Sequence, residues 1–334
     1  MDHVVIKRNV AQAVCMRSLT GALIVAAVLA FGQTPPCVEF KHVCTFGSKK
    51  GVHPPTMLNR RSATLALGKA DNPYGLVFPV AVAADFHQRV WITDSGTASV
   101  HVFDMATGSY REIRRVGDAP LLQPSGIAVD GAGRIFLSDS GSGRVFAFDE
   151  TGEFDHLLTK PRERLLESPT AIAFSEDGKT VYVADPPRNV VVAFNREGEV
   201  DGTIQVPPEF GEPGAITVVG NQIYVLGNRQ HRVGIFSPGG KLLGESRWDG
   251  IQFPSALTYD ARRHRFLVVN PRWMVVQIFN DEGQNVGAFG RPGEGVDQME
   301  RVDFLNVDPQ GLHYLVDSRH GKVLVFADSA CVLR

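Results

Sequence analysis

The chain has 334 residues, is 43% apolar and carries a formal net charge of -2. That length and composition allow a large hydrophobic core. The near-neutral balance, with no long charge run and no low-complexity tract, argues against bulk nucleic-acid binding.

In chain order, residues 1–32 are not expected to belong to the fold. Leu19 to Phe31 is an apolar run that follows Arg17 and ends in small residues, with Val28 and Ala30 at a plausible cleavage edge. This is the pattern of a secretory signal, and it is short for a membrane span. Retention as an N-terminal anchor is the alternative. Met16 stands just before Arg17, so residues 1–15 read as an upstream extension from a wrongly chosen start codon. Val14 and Pro36 are the wrong neighbours for a lipoprotein site at Cys15 or Cys37. Next comes an isolated strand-like stretch, Val38 to Gly47. Residues 48–75 then form the longest insertion, and no motif is found in it.

The rest repeats. Gln123 to Asp149 holds short Ile-, Val- and Phe-rich runs at Ile127–Val129, Arg134–Ser138 and Val145–Phe148, with a fourth at Glu153–Leu158. Asp130-Gly-Ala-Gly and Asp139-Ser-Gly separate them, supplying glycine for positive φ and short carboxylates for backbone N–H groups. The opening proline recurs at Pro79, Pro124, Pro169, Pro213 and Pro254, at spacings of 45, 45, 44 and 41, and Val302 takes its place in a sixth copy. Second strands end Val90-Trp-Ile-Thr-Asp, Ile135-Phe-Leu-Ser-Asp, Val181-Tyr-Val-Ala-Asp, Ile223-Tyr-Val-Leu-Gly, Phe266-Leu-Val-Val-Asn and His313-Tyr-Leu-Val-Asp. Six four-stranded units at this period predict an all-β, six-bladed β-propeller. The strands are apolar on both faces, as stacked blades require. A β-sandwich would show no fixed period.

The Pro-x-Gly-Ile-Ala-Val-Asp opening, followed by Asp139-Ser-Gly and Arg144-Val-Phe-Ala-Phe-Asp, resembles the NHL repeat of bacterial secreted six-bladed propellers. The resemblance spans about residues 37–328. It implies the fold, but little about function, because such propellers serve both as binding platforms and as enzymes.

The last copy has only three strands before the chain ends. The stretch from Val38 to Gly47 is therefore expected to supply its outer strand, closing the ring within residues 37–334. That brings Cys37 near Cys331, and a disulfide between them would stabilise by about 4–5 kcal/mol in the loop-entropy view; free thiols are the alternative.

The turns between second and third strands share one rim. Their leading acid or amide is expected to be used within the turn. The residues after it leave Arg188, Arg229, His231, Arg232, Arg272, Trp273, Arg319 and His320 in blades three to six, against Thr97, Ser142 and Arg144 in blades one and two. A basic, partly aromatic half-rim would suit carboxylate, phosphate or sulfate groups. Pairing of these cations with neighbouring Asp and Glu is the competing expectation.

Three propeller chemistries bear on whether the chain is an enzyme. The zinc-dependent amidating lyases that share the repeat use several channel histidines, and none opens an inner strand here. A gluconolactonase-like cation site would need Glu212, Asn270 and Asp303, but the flanking sequence does not match. No Gly-x-Ser-x-Gly elbow is present. Ala81, Ala83, Ile127, Ala171, Ile216 and Leu257 are expected to border the channel. No catalytic residue, metal or cofactor is assigned. The expectation is an extracytoplasmic, non-catalytic binding propeller for an acidic protein, peptide or glycan. Nucleic acid is not expected, and a membrane is met only through an uncleaved N-terminus. The alternative is a metal-dependent hydrolase or lyase with a cation at the channel mouth.

Overall fold

The computed structural model describes residues 40–47, 75–158, 165–228, 232–246, 248, 251, 254–295 and 297–328. It also describes the backbone pairing of Val14–Cys15 with Ala26–Ala27 and of Ser18–Leu19 with Ala22–Leu23. Cys37, Cys331, Arg229, His231 and residues 48–74 lie outside the described residues, as does most of the signal-like segment.

Six four-stranded antiparallel sheets follow one another around a ring. Blade one runs Pro79–Ala84, Arg89–Asp94, Ser99–Asp104 and Tyr110–Ile113 from axis to outside. Blade two runs Pro124–Val129, Ile135–Asp139, Arg144–Phe148 and Phe154–Leu157. The inner strands of blades three, four and five are Ile172–Phe174, Pro213–Val219 and Leu257–Asp260. Blade six orders Val302–Val307, Leu312–Asp317 and Lys322–Asp328, and its outer strand is Phe40–Phe46. The ring therefore closes as expected. Val325 pairs with Cys44 and Asp328 with Phe40.

The closing strand serves two seams. Phe40 packs with Leu267, Ile278 and Phe289 of blade five, stacking on the Phe289 ring at 3.9 Å. Cys44 and Phe46 pack with Val82, Val90 and Ile92 of blade one. Burial pushes the Cys44 thiol up to about 12, so it behaves as a core residue.

In blades one, two and four the recurrent proline starts a bulge, where its missing N–H costs nothing. In blade one the ladder shifts register between Pro79 and Ala81, and in blade two between Pro124 and Ile127. A second-strand hydroxyl fills the gap. Thr93 Oγ1 accepts from Ala81 N at 2.9 Å and donates to Ser125 O of the next blade at 2.6 Å. Ser138 Oγ accepts from Gly126 N at 2.8 Å and donates to Thr170 O at 2.6 Å. Gly126 is needed at this seam, because a Cβ there would lie 1.9 Å from Thr170 O.

At the opposite end, hairpin acids tie strands and blades together. Asp85 accepts from Arg89 Nε and from Trp91 Nε1 at 2.9 Å, and the Arg89 and Arg111 guanidinium groups lie over the indole. Asp130 and Arg134 repeat the pattern over Phe136.

Candidate functional site: the channel mouth and its rim

The rim is built on the last residue of each second strand. Asp94, Asp139, Asp185 and Asp317 are fully buried. Asp94 accepts from Val77 N and Phe78 N, in the loop leading into the inner strand, and from Gly96 N and Thr97 N in its own turn. Asp139 does the same for Leu122, Gln123, Gly141 and Ser142. Blade four has Gly227 in this place and keeps only the backbone bond it shares with the clamped blades, Asn228 N to Glu212 O at 2.7 Å, as Ser95 N to Phe78 O at 3.1 Å in blade one. These acids are structural clamps that hold both sets of rim loops still.

The cations named from the sequence fall on this rim where they are described, but their surroundings differ. Arg232 forks onto Glu245, with Nε to Oε1 at 2.7 Å and Nη2 to Oε2 at 2.6 Å, and lies over Phe210. Arg319 meets Glu300 at 3.0 Å. His320 sits between Glu300, 2.9 Å from Nε2, and Asp317, 2.9 Å from Nδ1. Arg188 donates to Leu165 O and lies 3.9 Å from Asp185. Arg272 and Trp273 are exposed on the blade-five turn. Asn270 holds that turn, accepting from Arg272 N while its Nδ2 donates to Gln277.

Glu294, Glu300 and His320 place ligand-type atoms within 4.8 Å of one another. Arg319 bonds Glu300, and the favourable fields of Asp317, Asp297, Glu294 and Glu300 act on the nearby Lys322. Burial pushes the Lys322 ammonium down despite these acids. It is satisfied by Gly295 O at 2.8 Å and Gln298 O at 2.7 Å, pinning the loop between blades five and six. Sequence reasoning missed this lysine. Its only signal was a cation opening an otherwise apolar strand.

A channel runs between the blades. It widens into a cavity of ≈ 810 Å³ at the rim described above and one of ≈ 560 Å³ at the far end. Ala81, Ala83, Ile127, Ala171, Ile216 and Leu257 border these cavities, as expected. The three residues considered for a cation do not act together. Asp303 reaches the lumen but accepts from Arg301 Nε at 2.8 Å and from Ser318 Oγ. Asn270 is turned to Gln277, and neither it nor Glu212 lines the mouth cavity that Asp303 borders.

Among the described residues, His42, His101 and His313 sit on strands within the blades. His313 is fully buried beside Arg265, and His101 is bonded to Tyr110 at 2.8 Å. Burial lowers His101, and likewise His42, whose Nε2 is 2.8 Å from Thr45 Oγ1.

Comparison with known proteins matches the NHL repeat family over residues 121–148. No curated protein sequence matches. Among solved structures, the chain is similar to selenomethionine-substituted virginiamycin B lyase from Staphylococcus aureus. The TM-score is 0.59 at 12% identity, covering 86% of this chain and 99% of that one. A streptogramin B lyase structure gives 0.59 at 12% identity, covering 87% and 98%. Hydrazine synthase from Kuenenia stuttgartiensis gives 0.54 at 15%, covering 77% and 96%. At these identities the likeness is one of fold.

Proposed function

From a chain that is an NHL-repeat, six-bladed β-propeller, we propose a non-catalytic, extracytoplasmic binding module whose rim engages an acidic protein, peptide or glycan. The observation that carries this reading is the exposed Arg272–Trp273 pair, held on a turn clamped by Asn270. A guanidinium beside an indole offers a fork for a carboxylate and a flat face for a ring or sugar. Arg232 is already forked onto Glu245, so it is expected to matter less.

The test is binding to acidic glycan and peptide arrays. Arg272→Ala and Trp273→Ala should each weaken binding by about tenfold, and Arg232→Ala by less. Binding that survives combined change of Arg229, Arg232 and Arg272 to Ala rejects the reading. Export belongs to the same proposal. Mass spectrometry should find a mature N-terminus near residue 31, and a peptide from residues 2–15 would refute the mis-start reading. Among the described residues no helix is long and apolar enough to cross a membrane.

A second reading, a metal-dependent hydrolase or lyase, draws support from the Glu294–Glu300–His320 triplet. It also draws on neighbours that include a virginiamycin B lyase described as catalytically inactive when a histidine becomes alanine. Elemental analysis followed by a lactonase screen with added calcium separates the two. Stoichiometric metal with turnover favours the enzyme.

A further inference from the structure

The mouth cavity has a lining chemistry that the charged rim does not explain. Six serines border it, together with Thr170, Gln123 and Asn228, and the charged lining residues are Arg301 and Asp303. Those two bond each other, and Ser318 donates to the second Asp303 oxygen. The hydroxyls of Ser95, Ser125, Ser140, Ser255 and Ser318 already donate within the protein, so the cup offers hydroxyl oxygens as acceptors, beside the Asn228 amide, around an internally compensated ion pair. That suits neither a free anion nor a cation. It suits a neutral molecule carrying several hydroxyl groups.

Three further features point the same way. Thr170 Oγ1 is buried without a hydrogen-bond partner, while the carbonyl of the same residue is taken by Ser138. Thr170 lines the cup with this hydroxyl closed off just behind the wall, so a small local shift of the wall would let a ligand hydroxyl satisfy it. Asn228 lies over Gly214, its Oδ1 1.7 Å from where a Cβ would stand, so the missing side chain gives the amide its place in the wall. Phe78 lines the same cup and is 46% exposed, on backbone fixed by Asp94. A half-exposed aromatic ring on rigid backbone is a stacking face for the apolar side of a pyranose.

We propose that this cup is a carbohydrate subsite that takes a neutral sugar unit, stacked on Phe78 and hydrogen-bonded by Thr170 and Asn228. This deepens the rim reading, on which it rests, by naming a glycan as the partner. It also separates two roles: the cup holds the neutral unit, and Arg272 holds the acidic group outside it. The ≈ 810 Å³ of the cavity falls within the usual range for small-molecule sites.

The experiment is saturation-transfer NMR with titration calorimetry on the mature protein. The probes are cellobiose, maltose and N,N′-diacetylchitobiose, set against digalacturonic acid and an acidic peptide. At least one neutral disaccharide should bind in the millimolar range or tighter. Phe78→Ala should weaken it about tenfold and Thr170→Val about fivefold. Thr170→Val should leave the melting temperature unchanged, because the lost hydroxyl has no internal partner. Gly214→Ala should weaken binding too, by displacing Asn228. Absence of neutral-sugar binding up to about 10 mM, or equal binding by Phe78→Ala and Thr170→Val, overturns the proposal. Binding of only digalacturonic acid or the peptide, lost in Arg272→Ala but not in Phe78→Ala, overturns the cup while leaving the rim reading intact. Loss of both classes in wild type overturns both.

Discussion

Asp139 shows how much one side chain carries here. Its carboxylate accepts from four backbone N–H groups at 2.7 to 3.2 Å, two in the loop entering the inner strand and two in its own turn. Asp139→Ala should cost roughly 2–4 kcal/mol, because four bonds to one buried carboxylate are lost together and the loops they hold are released. Denaturant unfolding checks this, and Asp139→Asn should recover part of the loss. Asp260 couples stability to pH. Burial pushes its carboxyl up, but His313, Arg265 and Arg263 outweigh that and hold it at about 2. A depressed folded-state value means the contribution is complete above the unfolded value of about 4 and is lost as pH falls towards 2. Wild type should therefore lose stability steeply across that window. Asp260→Asn should be less stable at neutral pH, because buried Arg265 loses a counter-charge, and its profile between pH 4 and 2 should be flatter.

At the level of the element, the Phe40–Phe46 strand decides closure. It covers the edge that Lys322–Asp328 would otherwise expose, and such an edge invites aggregation. Phe46 is fully buried between blades six and one, whereas Phe154, on an ordinary outer strand, is 40% exposed. Phe46→Ala should cost about 3–5 kcal/mol. Phe154→Ala should cost clearly less, and hydrogen exchange should show the Lys322–Asp328 amides opening only in the former. The strand's role was readable from its position, because the last repeat was one strand short. Its division of labour was not, since only the bulge between Val325 and Phe326 and the two seams show which residues meet which blade.

For the whole molecule, the first and last strands of the described ring, Phe40–Phe46 and Lys322–Asp328, meet in one blade. A wheel closed this way is only as firm as that seam. The proposed Cys37–Cys331 bond would tie it covalently, and a non-reducing peptide map should recover a 37–331 link; a map without it ends that proposal. The lopsided rim is also a whole-molecule property. Charge counted turn by turn puts cations in blades three to six, but Glu245 and Glu300 arrive from an outer strand and from an inter-blade loop. Their approach to Arg232, Arg319 and His320 changes what charge the surface offers.

The repeat, the blade number, the clamp acids and the completing strand were all set by local pattern, because period and turn chemistry act over a few residues and recur. The partners of the rim cations, the Lys322 anchor and the hydroxyl-lined cup were decided only by the tertiary structure. Each joins residues far from one another in the repeat pattern, either across strands of one blade, as Arg232 and Glu245, or across a seam, as Lys322 with Gly295 and Gln298, and only the folded ring brings them within bonding distance.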